Sequence, residues 1–174
     1  RIAPIVFGEA GTMCSRTLGD YRARLESTGI SVNAAPLIAH GNVRAMVMGM
    51  SEADPTQAQI GAMRELVAHG LEEGAFGMSS GLTYAPGAYA KTEEMIRLAE
   101  VVAAQGGIYA THMRNEGSRL VEAVAEAIEI GEKAGVSVQI SHHKAAGNFN
   151  WGKVKTTLGM IDDANLRGLE IHSD

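Results

Sequence analysis

Residues 107–112 read Gly-Ile-Tyr-Ala-Thr-His and residues 135–142 read Gly-Val-Ser-Val-Gln-Ile-Ser-His, and the stretch between them decides the fold. Each quoted run is short, apolar and rich in β-formers, opened by glycine and followed by a histidine, as expected of a buried strand. Between them, Ser118 to Gly135 has the period of a helix. Leu120, Val124, Ala127 and Ile128 form one apolar stripe, Glu122, Glu126 and Glu129 lie off it, and Gly135 stands where a C-terminal cap belongs. Strand, helix and strand joined by connections this short imply a parallel sheet covered by helices.

The same alternation extends in both directions. Candidate strands are Ile2 to Gly8, Val32 to Ile38, Ala75 to Met78, Ile108 to Thr111, Val136 to Ser141 and Leu169 to His172. Asp54-Pro55 is read as the cap of a helix running toward Gly74, and Thr92-Glu93-Glu94 opens one that stops at Gly106-Gly107. A last helix covers about Lys153 to Leu166 and ends at Gly168. Two architectures fit this pattern, a closed eight-fold barrel and an open doubly wound sheet, and periodicity does not separate them. The barrel is favoured because no glycine-rich phosphate fingerprint follows the first strand and polar residues sit at the C-terminal ends of several strands. The strand–helix units are too few to close a barrel. The expected fold is therefore α/β, a partial (β/α)8 TIM-type barrel of about strands 2 to 7, with residues 1–174 as the central part of one domain. An opening at Arg1 without methionine, no leader-like segment and an end at Asp174 inside a strand-like run all fit that expectation.

Composition narrows the function. The 15 basic and 20 acidic residues are interspersed and give a net charge of −5, so no basic face exists to follow a phosphate backbone and no nucleic-acid partner is expected. No apolar run approaches the roughly 20 residues that a membrane helix needs. The single cysteine, Cys14, cannot form an internal disulfide, which suits a reducing compartment and gives a cytoplasmic expectation.

His112 and His142 each follow an apolar strand run, and in a parallel barrel such positions open on one shared mouth. Two imidazoles from neighbouring strands can converge on one ion, and neutral imidazole is a common zinc ligand. The alternative is a pair of hydrogen-bonded histidines under loops. Of the others, His143 faces the opposite side of an extended chain from His142, His40 is either a pocket or a packed histidine, His69 belongs to a solvated helix face and His172 carries no assigned role. The nine methionines are read as fillers of core gaps.

Three segments taken together support an assignment to a family. Gly81-Leu82-Thr83-Tyr84-Ala85-Pro86-Gly87-Ala88-Tyr89, Gly107-Ile108-Tyr109-Ala110-Thr111-His112-Met113-Arg114-Asn115-Glu116-Gly117 and Gln139-Ile140-Ser141-His142-His143-Lys144 resemble the N-acyl-D-amino-acid deacylases, or D-aminoacylases, of the amidohydrolase superfamily. Residues 32–44 and 47–49 look like the third-strand region of the same family, and the likeness runs from about Gly8 to Asp174.

That resemblance implies a barrel enzyme that hydrolyses the amide bond of N-acyl-D-amino acids with one or two zinc ions. It makes His112 and His142 metal ligands on strands five and six and Lys144, two residues beyond His142 on the same side of an extended chain, a substrate-binding residue, the alternative being a solvated loop lysine. Tyr84, on its Tyr-Ala-Pro-Gly loop, would help orient the substrate, the alternative being a packed loop tyrosine. Arg114 is a further candidate for the substrate site through an ion pair with Glu116, the alternative being a surface pair of little value. Many relatives carry a metal-binding cysteine in a Gly-Asn-Cys-Gly stretch where this sequence has Phe7-Gly8-Glu9-Ala10-Gly11. Glu9 is therefore a candidate ligand or bridge between two ions, or else a capping or salt-bridged glutamate; Cys14 is read as a small loop residue. The family's paired histidines on strand one would precede Arg1 and its general-base aspartate on strand eight would follow Asp174. No catalytic residue is therefore expected within the chain, which is expected to be inactive by itself and to have the rest of the barrel as its partner. Two alternatives stand beside this one. A cyclic amidohydrolase of the dihydroorotase or hydantoinase kind would need a carboxylated lysine on strand four, where residues 76–81 read Phe-Gly-Met-Ser-Ser-Gly. The other is a non-catalytic, metal-free barrel.

Overall fold

A computed structural model describes residues 17–174 in full and, for the backbone alone, residues 6–7 and 13–15. Of the first expected strand, only Val6–Phe7 (β1) falls within the described residues, and it pairs antiparallel with β2, Met13–Ser15. Helix α1, Leu18–Thr28, follows, with Thr17 accepting from the Asp20 amide as its N-cap.

The main sheet has five strands: β3 (Ile38–Ala39), β4 (Gly77–Gly81), β5 (Ile108–His112), β6 (Ser137–Ile140) and β7 (Ile171–Ser173). Every neighbouring pair is parallel, and the spatial order is the chain order. That order separates the two candidate architectures. A doubly wound sheet reverses its strand order at a switch point, whereas a barrel adds each strand beside the last. The observed sheet is the barrel type, as an incomplete arc.

Helices α2 (His40–Met48), α3 (Gln57–Glu72), α4 (Thr92–Ala104), α5 (Leu120–Ala134) and α6 (Lys153–Leu166) pack against one another in succession outside this arc. Register explains the core. Met78, Tyr109, Val138 and Ile171 lie side by side across four strands, and all are buried toward the helices. They share one buried core with the α5 stripe, where Leu120, Val124, Ala127 and Ile128 are buried as their spacing predicts. Each Leu, Ile, Val or Met among them contributes roughly 1.5–3 kcal/mol when fully withdrawn from water. Gly135 ends α5 in the left-handed conformation, as expected of a glycine cap.

Several local expectations are corrected. The run Val32 to Ile38 supplies only Ile38 to a strand; Pro36 lacks the amide that a ladder needs and Val32 is 72% exposed. Residues 40–48, which carry no strong apolar stripe, form helix α2 directly after β3. The cap of α3 is Thr56 rather than Asp54-Pro55: Thr56 and Gln59 form a reciprocal capping box. Asp54 instead pairs with Lys91 on the surface. Met63, Met78, Met95 and Met113 are buried core fillers, but Met50 is exposed.

The interior also holds a charged cluster that periodicity gives no sign of. Arg44 on α2 and Glu94 on α4 are both buried and ion-paired. His40 Nε2 lies 2.8 Å from the same carboxylate and, facing an acceptor, carries the proton. Arg44 also donates to the carbonyls of Ser51 and Ala53, which ties the α2–α3 connection to the cluster.

Candidate metal centre

His112 is the last residue of β5, on the face opposite Tyr109 and Thr111 and therefore away from the helices. His142 reaches the same place by a different route. β6 ends at Ile140, and strict alternation would return residue 142 to the helix-facing side with Ile140. His142 escapes this through a left-handed backbone, φ +43°, the one positive φ at a non-glycine among the described residues. That conformation is sparsely populated by residues with a side chain and persists only where the surroundings enforce it. Here Asp174, the residue that follows β7, enforces it. Asp174 accepts the His142 amide through its side chain and the His143 amide through its carbonyl, 2.8 Å, while its own amide donates to Ile140. The imidazoles of His112 and His142 consequently meet edge to face, with ring centroids 4.5 Å apart.

A carboxylate completes the group. Glu116, in the loop after β5, places Oε1 2.8 Å from His142 Nδ1 and 2.6 Å from Lys144 Nζ. His112, Glu116 and His142 each offer one ligand atom, all within 4.8 Å of one another. Two imidazoles and one carboxylate form a donor set suited to zinc and similar divalent ions, and the spacing lets one ion be shared after small side-chain rotations. The electrostatics agree. Burial, more than the opposing pull of Glu116, lowers the His112 pKa and keeps the imidazole in the neutral form that ligates metal. Burial also pushes the Glu116 carboxyl up, but the hydrogen bond and charge of Lys144, with His112 and His142, outweigh it and hold the pKa below the usual range.

Lys144 is brought to this group by the turn at residues 141–142 rather than by an extended chain, and its ammonium also lies 3.1 Å from His142 Nδ1. The ring of Tyr84 stands 5.3 Å from that of His112, and the side chain is open to solvent. Arg114 departs from expectation. It does not pair with Glu116; its guanidinium grips Glu126 on α5, at 2.9 Å, and the carbonyls of Ala88 and Ala90. Glu9 lies outside the described residues.

The remaining histidines are dispersed. His143 turns away and contacts Thr157 at 2.9 Å. His40 is fully buried in the Arg44–Glu94 cluster, His69 is half-exposed near Glu72 and Glu73, and His172 is exposed on β7. Glu116 is the member of the metal group that residue pattern alone misses. Its signal was its position four residues after His112 in a strand-end loop, obscured by the nearer cation Arg114.

A sequentially ordered parallel sheet with a His–Glu–His group at its strand ends defines the class: a (β/α) barrel with a candidate metal centre at the mouth. Comparison with known proteins narrows it further. No family model matches the chain. It is 41% identical over 166 residues to a D-aminoacylase of Alcaligenes xylosoxydans xylosoxydans, covering 95% of this chain and 34% of that protein. It is 38% identical over 154 residues to an N-acyl-D-glutamate deacylase of the same organism, covering 88% of this chain and 32% of that protein. The crystal structure of an N-acyl-D-glutamate deacylase from Bordetella bronchiseptica, complexed with zinc and a phosphonate mimic of the reaction's tetrahedral intermediate, superposes with a TM-score of 0.91 at 37% identity, over 96% of this chain and 35% of that one. The chain belongs to the N-acyl-D-amino-acid deacylase family of the amidohydrolase superfamily. It spans about a third of the length of the curated relatives it matches.

Proposed function

We propose that this chain is the central part of a larger (β/α)8 barrel that hydrolyses the amide bond of N-acyl-D-amino acids, giving a carboxylate and a free D-amino acid. The observation that carries the proposal is the meeting of His112 and His142 with Glu116 at the mouth of the sheet, in a chain about 40% identical to deacylases of that substrate class.

His112 and His142 would hold the zinc, with Glu116 within reach of both and Glu9 as the proposed further carboxylate. When bound, zinc supplies Lewis acidity toward the amide carbonyl and a water whose pKa is lowered toward about 7. Lys144 is the proposed anchor for the substrate's α-carboxylate, a cation at the mouth whose position Glu116 fixes. Tyr84, whose ring stands beside that of His112, is the proposed group that helps orient the substrate. The proton passed from water to the leaving amine is assigned to an aspartate outside this chain. The cyclic-amidohydrolase alternative has less support: β4 carries no lysine, and the likeness to the L-hydantoinase of Arthrobacter aurescens, TM-score 0.57 at 16% identity, concerns the fold alone. No helix among the described residues is long and apolar enough to cross a membrane, and a cytoplasmic location is proposed from the lone Cys14.

The test uses the complete protein, purified without chelator, with zinc measured alongside turnover of paired N-acetyl-D and N-acetyl-L amino acids. Zinc-dependent hydrolysis of the D series is expected, and His112→Ala or His142→Ala should remove bound zinc and nearly all turnover. Retention of both zinc and turnover in either variant overturns the metal assignment; activity confined to the L series overturns the substrate class.

A further inference from the structure

Arg114 was expected at the substrate, yet its guanidinium is engaged elsewhere. Its Nε and Nη2 bond both oxygens of Glu126 on α5, at 2.9 Å each. Nη1 also donates to the carbonyl of Ala88 at 3.1 Å and Nη2 to that of Ala90 at 2.8 Å. Thr92, the first residue of α4, donates to the same Glu126 carboxylate at 2.9 Å. These partners lie at the far end of the loop that leaves β4 at Gly81 and carries Tyr84. Within that loop the Ala88 amide donates to the Tyr84 carbonyl at 2.8 Å, so Ala88, whose carbonyl Arg114 holds, is tied through its own amide to the Tyr84 backbone. At the near end, the Leu82 amide donates to the His112 carbonyl and the Thr83 hydroxyl to the Met113 carbonyl.

We propose that Arg114 and Glu126 are a positioning pair: a bidentate clasp between α5 and the 82–91 loop that sets where Tyr84 stands over His112, and not a reader of the substrate carboxylate. The proposal rests on the reading of His112 and Tyr84 as parts of the active site. Planar guanidinium geometry is what the role demands, because one side chain must satisfy a carboxylate and two carbonyls at fixed angles. A lysine keeps the charge but has no fork. The pair is largely withdrawn from solvent, with side chains 27% and 13% exposed, so it is shielded from the screening that weakens surface pairs. Displacing a substrate-orienting group by about 1 Å can cost on the order of 10²-fold in rate.

The test compares Arg114→Met, Arg114→Lys and Glu126→Gln with the unmodified complete protein, by two independent readouts. Backbone amide exchange across residues 82–91, measured with zinc content verified, reads the clasp without reference to turnover. Exchange there is expected to speed up about tenfold or more in both Arg114 variants, corresponding to roughly 1.4 kcal/mol of lost local protection, and less in Glu126→Gln, which keeps the acceptor. Kinetics then separate positioning from recognition. With N-acetyl-D-amino acids and their primary amides as substrates, a positioning residue lowers kcat/KM on both, by about 10²-fold. Tyr84→Phe should then add less in the Arg114→Met background than alone. Unchanged exchange in both Arg114 variants, or a defect confined to KM that vanishes with the amides, overturns the proposal. An unmodified protein that takes no N-acyl amino acid refutes the functional reading and leaves the exchange result to decide the clasp. If Arg114→Met does not fold, Arg114→Lys carries the same comparison.

Discussion

Replacing Glu94 by alanine tests the buried charge cluster most directly. Its carboxylate meets Arg44 and His40, and the side chains of Arg44 and His40 are fully buried while that of Glu94 is 2% exposed. Removing it leaves a guanidinium inside the helix layer with only the carbonyls of Ser51 and Ala53, and strips the buried His40 Nε2 of its acceptor. Breaking one side of a buried pair costs about 3–5 kcal/mol, because the survivor is an uncompensated charge. Each kcal/mol moves the midpoint of a unit of 150 residues or more by at most about 2–4 °C, so in the complete protein the loss is expected to reach up to roughly 6–20 °C. Thermal unfolding followed by circular dichroism at pH 7 measures it, with Lys91→Ala as control. The Lys91–Asp54 pair is well exposed and should contribute at most about 1 kcal/mol. The pH dependence follows with a definite sign. Burial pushes the Glu94 carboxyl up, but the hydrogen bonds and charges of His40 and Arg44 outweigh it and hold the pKa below its ordinary 4.5. The unfolded chain therefore binds the proton more readily, and this contribution is complete above about pH 4.5 and is lost as the pH falls through the lower folded value. Glu94→Gln should flatten that part of the profile. A Glu94→Ala loss no larger than that of the Lys91 control would refute the reasoning.

Two further outcomes follow from local geometry. A Cβ at Gly77 would stand 1.9 Å from the Ile108 carbonyl oxygen, where β4 and β5 begin their ladder, so Gly77→Ala should cost at least about 1–3 kcal/mol in urea unfolding; a neutral result would mean that the strands separate freely there. Thr56→Ala removes the capping box of α3 and should cost about 1 kcal/mol, or about 2–4 °C, in the same melting assay.

Much of the architecture was legible because it is written in relations between near neighbours in sequence. The α5 stripe and its Gly135 cap, the strands that end at His112 and near His142, and the glycine stops after α4 and α6 all follow from spacings of two, three or four residues. Strand order was not legible, since a barrel and a doubly wound sheet are built from the same strand–helix unit. The 32–38 run shows the limit at short range: its apolar residues favour a strand, but Pro36 and the lack of a partner along most of its length leave Ile38 as its only strand residue.

The sequence by itself determined which residue types arrive at the strand ends, and the family motifs determined the class of chemistry. Only the tertiary structure decided which charges meet. Arg114 passes over Glu116 for Glu126, 12 residues away, Arg44 finds Glu94 across 50, and His142 turns toward His112 because Asp174, just past β7, pins a left-handed backbone. Pairing among 15 basic and 20 acidic side chains is set by where the folded backbone carries them, and periodicity, being local, holds no record of that.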